Sequence, residues 1–343
     1  MGTKIAINGF GRIGRGLLRA LVERGCEDII VVAVNDLAPI ETLAHLLRFD
    51  SNHGRLADPV VIEGDHLHVG RHRIRVTAER DPEKLRWHDV DIAFECTGLF
   101  TARDRATRHL QNGSRRVLIS APGKGADRTV VYGVNHFDLT PADVIVSNAS
   151  CTTNCLAPVA MVLDRAFGIK TGYMTTVHAY TGDQHSQDAP HSDLYRARAA
   201  ALSIVPTSTG AARAISEVLP RLEGRLEGSA LRVPTPNVSL VDLSFVPERT
   251  ATRDEINAVM KEASEGALKG VLAYEEAPLV SVDFNHDPHS SCFAAAQTSV
   301  TQDGFVRVVS WYDNEWGFSN RMIDTGRWMG AQMRQAVPLQ KTG

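Results

Sequence analysis

The stretch Ser147-Asn148-Ala149-Ser150-Cys151-Thr152-Thr153-Asn154-Cys155 gathers the residue types that nucleophilic catalysis needs. A cysteine at the start of a helix feels the helix dipole and the unpaired backbone N–H groups, which lower its pKa and raise its thiolate fraction. The backbone N–H of Cys151 can also stabilise an oxyanion formed when that thiolate adds to a carbonyl. The flanking Ser, Thr and Asn side chains argue against an inert thiol buried among apolar groups. Cys155 follows one helical turn later. A C-x3-C pair without further ligands nearby does not make a metal clip, so Cys155 reads as structural and no metal is expected. Of the thirteen histidines, His178 is the candidate base. It ends the strand pattern Tyr173–Val177 and opens a polar loop, a place from which a strand of a second domain can deliver an imidazole to Cys151.

The second constellation is Gly9-Phe10-Gly11-Arg12-Ile13-Gly14, placed after the apolar run Lys4–Asn8 and opening a helical pattern. Asp36 stands 22 residues after Gly14, at the end of the next strand pattern. This is the context of the dinucleotide fingerprint. The first glycine makes the tight turn, the second lets backbone approach a pyrophosphate, and the third allows close helix packing. The helix N-terminus adds partial positive charge. Asp36 accepts hydrogen bonds from ribose hydroxyls and repels a 2'-phosphate, so the expected cofactor is NAD rather than NADP.

The elements that must position these groups follow from periodicity. Short β-branched runs alternate with helical patterns through the first half (Lys4–Asn8, Arg15–Arg24, Ile29–Asn35, Ile92–Glu95, Arg103–Leu110, Arg116–Ser120), which predicts βαβ units and a parallel sheet. Val60–Glu63 and His66–Val69 read as hairpin strands inserted in that sheet domain. From Cys151 the apolar residues recur at helical spacing, with Asn148, Ala149 and Ser150 supplying N-cap chemistry. Long alternating stretches at Tyr173–His178, Ala230–Val233, Val238–Val246 and Phe305–Trp311 predict an antiparallel sheet, with helices at Arg253–Gly266 and Asn320–Ala331. The expected fold class is therefore α/β: a Rossmann-type parallel-sheet domain over 1–150 and a second α+β domain over 151–319. A C-terminal helix at about 320–335 is expected to pack back on the first domain. The long polar stretch from Ala179 to Pro206 reads as a packed functional loop.

Composition narrows the class of function. At 343 residues the chain can bury two cores, and 43% hydrophobic, 22% charged residues and a net charge of −3 are ordinary for a globular protein. Such a balance argues against a nucleic-acid partner. The most basic stretch, Arg103–Arg116, reads as a solvated helix face and the turn after it. No run reaches the length of a membrane helix. Met1-Gly2-Thr3-Lys4 runs into an apolar strand without a secretory signal, and Ala6 stands where myristoylation needs Ser or Thr. The five scattered cysteines suit a reducing compartment. A cytoplasmic location is expected.

Taken in order, Ile7–Gly14, Ser147–Cys155, His178-Ala179-Tyr180-Thr181-Gly182-Asp183-Gln184, Arg232-Val233-Pro234-Thr235-Pro236-Asn237-Val238 and Trp311-Tyr312-Asp313-Asn314-Glu315-Trp316-Gly317 resemble phosphorylating glyceraldehyde-3-phosphate dehydrogenases from Lys4 to about Met329. The resemblance implies oxidation of D-glyceraldehyde 3-phosphate to 1,3-bisphosphoglycerate with NAD, through a hemithioacetal and a thioester on Cys151. It makes Cys151 the nucleophile and His178 the base. It assigns Thr181 and Arg232 to the substrate phosphate, Ser150, Arg196, Thr209 and Gly210 to inorganic phosphate, and places Thr152 beside the nucleophile. On the cofactor side it adds Arg12, Ile13, Arg80, Thr97, Ser120 and Asn314 to Gly9, Gly11, Gly14 and Asp36. It also implies a homotetramer in which the loop from Ala179 packs near a neighbour's cofactor site. Pro190 stands where NAD-specific members carry proline, whereas Ala189 replaces the leucine many of them have before it. The sister family, erythrose-4-phosphate dehydrogenases, shares the thiol chemistry and hydrolyses the acyl group. Ser208-Thr209-Gly210-Ala211-Ala212 favours the phosphorylating family.

Overall fold

The computed structural model describes residues 2–335. The chain forms two compact units, one of residues up to Val130 with Asn135–Ala149 and the chain from Ser319, the other of Val131–Val134 and Ser150–Phe318.

The first unit is built on a nine-stranded sheet. Thr3–Asn8 lies at its centre, pairing in parallel with Ile29–Asn35 on one side and with Ile92–Glu95 on the other. Arg116–Ile119 and Ile145–Ser147 continue the parallel order outward from Ile92–Glu95. The central strands are apolar because helices cover both faces, so Ile5, Ile7, Val31, Ile92, Phe94, Val117 and Ile119 are fully buried. Val60–Glu63 and His66–Val69 do form a hairpin, and with His72–Thr77 they extend the same sheet at its edge. The C-terminal helix, Trp316–Gln335, starts four residues earlier than its pattern indicated. Its glycines let it lie close to the sheet: a Cβ at Gly326 would fall 2.4 Å from the Phe94 ring, and one at Gly330 would fall 2.2 Å from Thr3 Oγ1. The region Arg103–Leu110 is not one helix but two short turns, Arg103–Ala106 and Arg108–Gln111, with the Thr107 hydroxyl bonded back to the Arg103 carbonyl at 2.8 Å. The basic stretch is solvated at Arg103, Arg105 and Arg115, half-exposed at Arg108 and buried only at Arg116. Arg103 pairs with Asp127 and Arg108 with Asp81, while Arg116 is buried in its strand and donates to the Pro141 carbonyl.

The second unit is mixed and mainly antiparallel. Ile169–Ala179 pairs antiparallel with Ser239–Pro247, which pairs antiparallel with Val306–Tyr312. Its other neighbour, Leu226–Val233, runs parallel to it. The helix Cys151–Phe167 is capped by the Ser150 side chain, which accepts from Thr153 N at 3.0 Å. At its other end Gly168, with φ of 70°, supplies the left-handed turn that sends the chain back as Ile169–Ala179. A seventeen-residue helix is about 25 Å long at 1.5 Å per residue. The return strand covers a similar distance by His178 at about 3.3 Å per residue. The strand end therefore arrives beside the helix start.

One buried histidine is expected to make the first unit sensitive to acid. His72 is 2% exposed and its Nδ1 accepts from Val31 N at 3.2 Å. Burial, helped by the charge of Arg71, pushes its pKa down from 6.5 to about 4. Below pH 6.5 the unfolded chain takes up a proton that the folded chain refuses until about pH 4, so the stability this residue contributes is complete above 6.5 and lost as pH falls toward 4. His72→Gln keeps an acceptor for Val31 without a titrating ring. Urea midpoints measured from pH 7.5 to 4.5 are expected to fall less steeply in this variant than in the parent.

Candidate active site

Two sites emerge, one in each unit. In the first, a cleft of about 340 Å³ opens at the C-terminal ends of the central strands, lined among others by Gly9, Gly11, Asp36, Arg80 and Thr97. Gly9 holds φ of 90°, and a Cβ there would lie 2.7 Å from the backbone of Cys96 and Thr97. A Cβ on Gly14 would lie 2.2 Å from the Gly9 carbonyl oxygen. At Gly11 a Cβ would meet nothing within 4 Å, so a side chain there would occupy the cleft itself. The three glycines thus serve a turn, an open approach and a close packing. The helix Arg12–Glu23 starts at this loop with no side-chain cap, so its positive end opens at the cleft and suits an anion. The Asp36 carboxylate is fixed by Phe10 N at 2.8 Å and Ala38 N at 3.0 Å, which presents it beside the glycine turn. These features fit a dinucleotide.

Other residues expected at the cofactor stand differently. The Arg12 guanidinium grips Asp50, with one N–O distance of 3.0 Å, and this charge helps hold the Asp50 carboxyl down at about 2 despite its burial. Ile13, half-buried, follows it in the first turn of the helix. Ser120 donates its backbone N–H to the Glu95 carbonyl at 3.0 Å, and its side chain hydrogen-bonds the half-buried Cys96 sulfur. Asn314 lies in the second unit, where its Oδ1 accepts from Ser239 Oγ at 2.8 Å, leaving its amide nitrogen as the group it can offer.

In the second unit, Cys151 Sγ lies 3.5 Å from His178 Nε2. The residue before the cap, Ala149, is held at φ of 56°, a left-handed conformation that costs roughly 1–2 kcal/mol outside glycine. That turn lets the strand ending at Ser147 become the helix beginning at Cys151 within three residues. Burial pushes the Cys151 thiol above its ordinary pKa. The charge of Arg232 and hydrogen bonds from the Thr152 hydroxyl and the Thr152 and Cys151 backbone pull the other way. The net direction is upward, contrary to the lowering expected of a helix start, because desolvation outweighs that charge and those hydrogen bonds. His178 is pushed down to about 3, first by burial and then by the Arg232 charge. The pair therefore stands as thiol and neutral imidazole.

Arg232 reaches this pair through strand register. His178 and Arg232 are partners on adjacent parallel strands. Arg232 Nη1 lies 2.9 Å from both His178 Nδ1 and the Ala179 carbonyl oxygen, and that oxygen lies 2.7 Å from Nδ1. Guanidinium only donates and carbonyl only accepts, so Nδ1 can satisfy one of them at a time. Among the described residues the buried Arg232 Nε has no hydrogen-bond partner. Tyr312 was not singled out from the sequence, although it stands two residues before Asn314. Its hydroxyl bonds Thr152 Oγ1 and Thr176 Oγ1, each at 2.9 Å, and its ring meets His178 edge-on at 5.9 Å. Ser239, also missed, bonds both Asn314 and Ala179 N. Cys155 is buried against Ser291 and Ser310 with its thiol pushed up to about 12, consistent with a structural role.

The remaining anion-binding candidates are arranged around the loop that follows His178. Thr181 lies three residues beyond His178 and its carbonyl accepts from Gln184 N. Arg196 is paired with Asp183 at 2.6 Å and donates to Thr207 Oγ1 at 3.1 Å, yet its charge still reaches both His178 and Arg232. Thr209 Oγ1 accepts from Ala211 N, and Gly210 opens the helix Ala211–Val218 without a side-chain cap. The Ser150 hydroxyl is engaged with Thr153. Among the described residues, one His/Cys/Asp cluster lies apart: Asp287, His289 and Cys292. His289 Nδ1 meets Asp287 at 2.8 Å and the Cys292 thiol also bonds that carboxylate.

Residues 3–103 match a family model described as glyceraldehyde 3-phosphate dehydrogenase, NAD binding domain, and residues 150–314 match the C-terminal domain of the same family. The chain is 62% identical to glyceraldehyde-3-phosphate dehydrogenase of Cereibacter sphaeroides over 330 residues, covering 96% of this chain and 99% of the relative. It is 60% identical to that of Xanthobacter flavus over 332 residues, with the same coverage. Identity to the Geobacillus stearothermophilus protein is 54% over 335 residues, covering 97% and 99%.

The electrostatics of Cys151 are directly measurable. Removing the Arg232 charge in Arg232→Gln is expected to move the midpoint of the pH profile for Cys151 alkylation by iodoacetamide upward by about one pH unit. An unmoved or lowered midpoint would mean that Arg232 does not stabilise the thiolate.

Proposed function

Because the chain belongs to the glyceraldehyde-3-phosphate dehydrogenase family and is an NAD-dependent oxidoreductase, we propose that it oxidises D-glyceraldehyde 3-phosphate to 1,3-bisphosphoglycerate through a thioester on Cys151, with inorganic phosphate as the acyl acceptor. The observation that carries this reading is the 3.5 Å approach of Cys151 Sγ to His178 Nε2 with Arg232 at the far ring nitrogen.

His178 Nε2 takes the Cys151 proton as sulfur bonds to the aldehyde carbon, and returns it to the carbonyl oxygen to complete the hemithioacetal. The backbone N–H of Cys151 stabilises the oxygen while it is charged. In the oxidation, His178 takes the hydroxyl proton as the C–H electron pair leaves as hydride. Bound NAD supplies the hydride acceptor. The product on the protein is a thioester. An oxygen of inorganic phosphate then bonds to the thioester carbon, the C–S bond breaks, and Cys151 leaves as thiolate. General acid–base help of this kind is worth on the order of 100- to 10,000-fold.

Two features of this chain's own residues fit the reading. For Nε2 to receive a proton, Nδ1 must carry one, which it does when it donates to the Ala179 carbonyl. A substrate phosphate drawing on Arg232, with Thr181 beside it, relieves the competing contact and favours that tautomer. Arginine's fork suits phosphate. The uncapped helix start at Gly210, with Thr209 and Arg196, supports a second anion seat for inorganic phosphate and so favours phosphorolysis over the hydrolysis of the sister family. In the first unit, Gly9, Gly11, Arg12, Ile13, Gly14, Asp36, Arg80, Thr97 and Ser120 form the proposed NAD seat, and Asn314 orients the nicotinamide amide.

The loop from Ala179 supports assembly as a homotetramer. Leu194, Tyr195, Leu202 and Ile204 are between 63% and 82% exposed, and apolar side chains turned outward from a loop tied by its own ion pairs need a partner surface. No described helix is long and apolar enough to cross a membrane, and we read the protein as cytoplasmic.

NADH formation from glyceraldehyde 3-phosphate is expected to require phosphate or arsenate and to vanish in Cys151→Ser. Undiminished turnover without phosphate, or a preference for erythrose 4-phosphate, would assign the chain to the hydrolytic family. In solution, light scattering is expected to give the mass of four chains, and a monomer would overturn the assembly.

A further inference from the structure

We propose that Glu95, a residue that does not line the cofactor cleft, is the positioning residue that sets the hydrogen-bond polarity of its walls. Glu95 ends the strand Ile92–Glu95 and is 1% exposed. One carboxylate oxygen accepts from the backbone N–H of Thr97 at 2.8 Å and from the Thr97 hydroxyl. The other accepts from Asn8 Nδ2 at 2.7 Å and faces His109 Nε2 at 2.8 Å. His109 is fully buried, stacked on Trp87 at 5.6 Å, and its Nδ1 faces Asn112 Nδ2. That amide nitrogen is a donor, so the ring proton sits on Nε2, toward Glu95. All four acceptor directions of the carboxylate are in use.

The consequence runs across the strand ends. Because Asn8 spends its amide nitrogen on Glu95, its Oδ1 must face Asn35, whose Nδ2 donates to it at 2.8 Å. Asn35 Nδ2 also donates to the Glu79 carbonyl at 2.8 Å, and its Oδ1 accepts from Glu79 N at 2.9 Å and Thr77 Oγ1 at 2.9 Å. On the other side Thr97, having donated its hydroxyl to Glu95, accepts from Leu99 N at 3.0 Å. Asn8, Asn35, Glu79, Thr97 and Leu99 all line the cleft. Four strand ends, those of Thr3–Asn8, Ile29–Asn35, His72–Thr77 and Ile92–Glu95, are thus joined in one chain of donors and acceptors whose direction originates at a single carboxylate. An amide in its place reverses that direction. Its oxygen must serve the Thr97 N–H, which can only donate, so its NH2 meets Asn8 Nδ2 and His109 Nε2–H, donor against donor. Relief requires Asn8 to turn over, which then opposes Asn35 and releases Glu79.

The proposal rests on NAD occupying this cleft. The test compares Glu95→Gln, His109→Gln, His109→Leu and Asp36→Ala by NAD dissociation constant, thermal midpoint and Cys151 alkylation rate. Glu95→Gln is expected to weaken NAD binding roughly tenfold, about 1.4 kcal/mol, with Cys151 alkylation and the turnover at saturating NAD within about twofold of the parent. His109→Gln, which still donates to Glu95, is expected to keep parental affinity, and His109→Leu is expected to lose about threefold. A lowered thermal midpoint with unchanged NAD affinity in Glu95→Gln, beside weakened affinity in Asp36→Ala, would overturn the role of Glu95. Unchanged affinity in both would overturn the cleft assignment and the proposal with it. If Glu95→Gln does not fold, the His109 pair decides: equal NAD affinities in the two variants would overturn the proposal.

Discussion

Desolvation of the Cys151–His178 pair is the constraint on which the rest of the second unit depends. Side by side, the half-buried thiol and the buried imidazole are both driven toward their neutral forms, the thiol upward and the imidazole to about 3. Nothing in the helix start is strong enough to reverse this, because dipole and backbone N–H effects are worth about 1 kcal/mol whereas burying a charge costs several. The thiolate must therefore be made on demand, and the groups that govern it are those whose contacts change when an anion arrives. Arg232 is the most direct of them, since it touches the ring that must accept the proton.

The surroundings of this pair are organised to hold its geometry while its protonation varies. Tyr312 clamps Thr152 on the nucleophile's helix and Thr176 on the base's strand, so one hydroxyl ties together the two elements that carry the reacting atoms. Ser239 does the same between the strand end at Ala179 and Asn314. The left-handed Ala149 is the cost of joining strand to helix in so few residues. It is held by its own N–H bonded to Ser147 Oγ at 3.1 Å and by complete burial. The first unit solves a different problem. There the requirement is an open cradle with fixed polarity, and the fold supplies it with a glycine turn on one level and a buried network of amides and a carboxylate on the level beneath.

Much of this could be read before any coordinates. Periodicity alone separates a parallel α/β half from a mainly antiparallel half, because a strand buried on both faces is uniformly apolar whereas one with a single covered face alternates. Gly9, Gly11, Gly14 and Asp36 are legible since their roles are local: a turn angle, a missing Cβ and a strand end lie within one βαβ unit. Cys151 is legible for the same reason, its setting being a cap four residues long. The broken helix at Arg103–Gln111 was not, because a threonine hydroxyl competing with the backbone leaves little trace in a pattern of apolar residues.

What the sequence determined by itself was the kind of chemistry available and the local frames that present it: a nucleophile at a helix start, an imidazole at a strand end and an anion-binding glycine loop. The tertiary structure alone decided which groups share a site and in what protonation state. His178 and Arg232 are 54 residues apart and became neighbours through the register of two parallel strands. Glu95 gathers Asn8 and His109 from either side of it along the chain. The direction in which the Cys151 pKa moves depends on how much water the fold removes from around it. Register, burial and long-range hydrogen bonding are properties of the packed chain, and no spacing of residues along it encodes them directly.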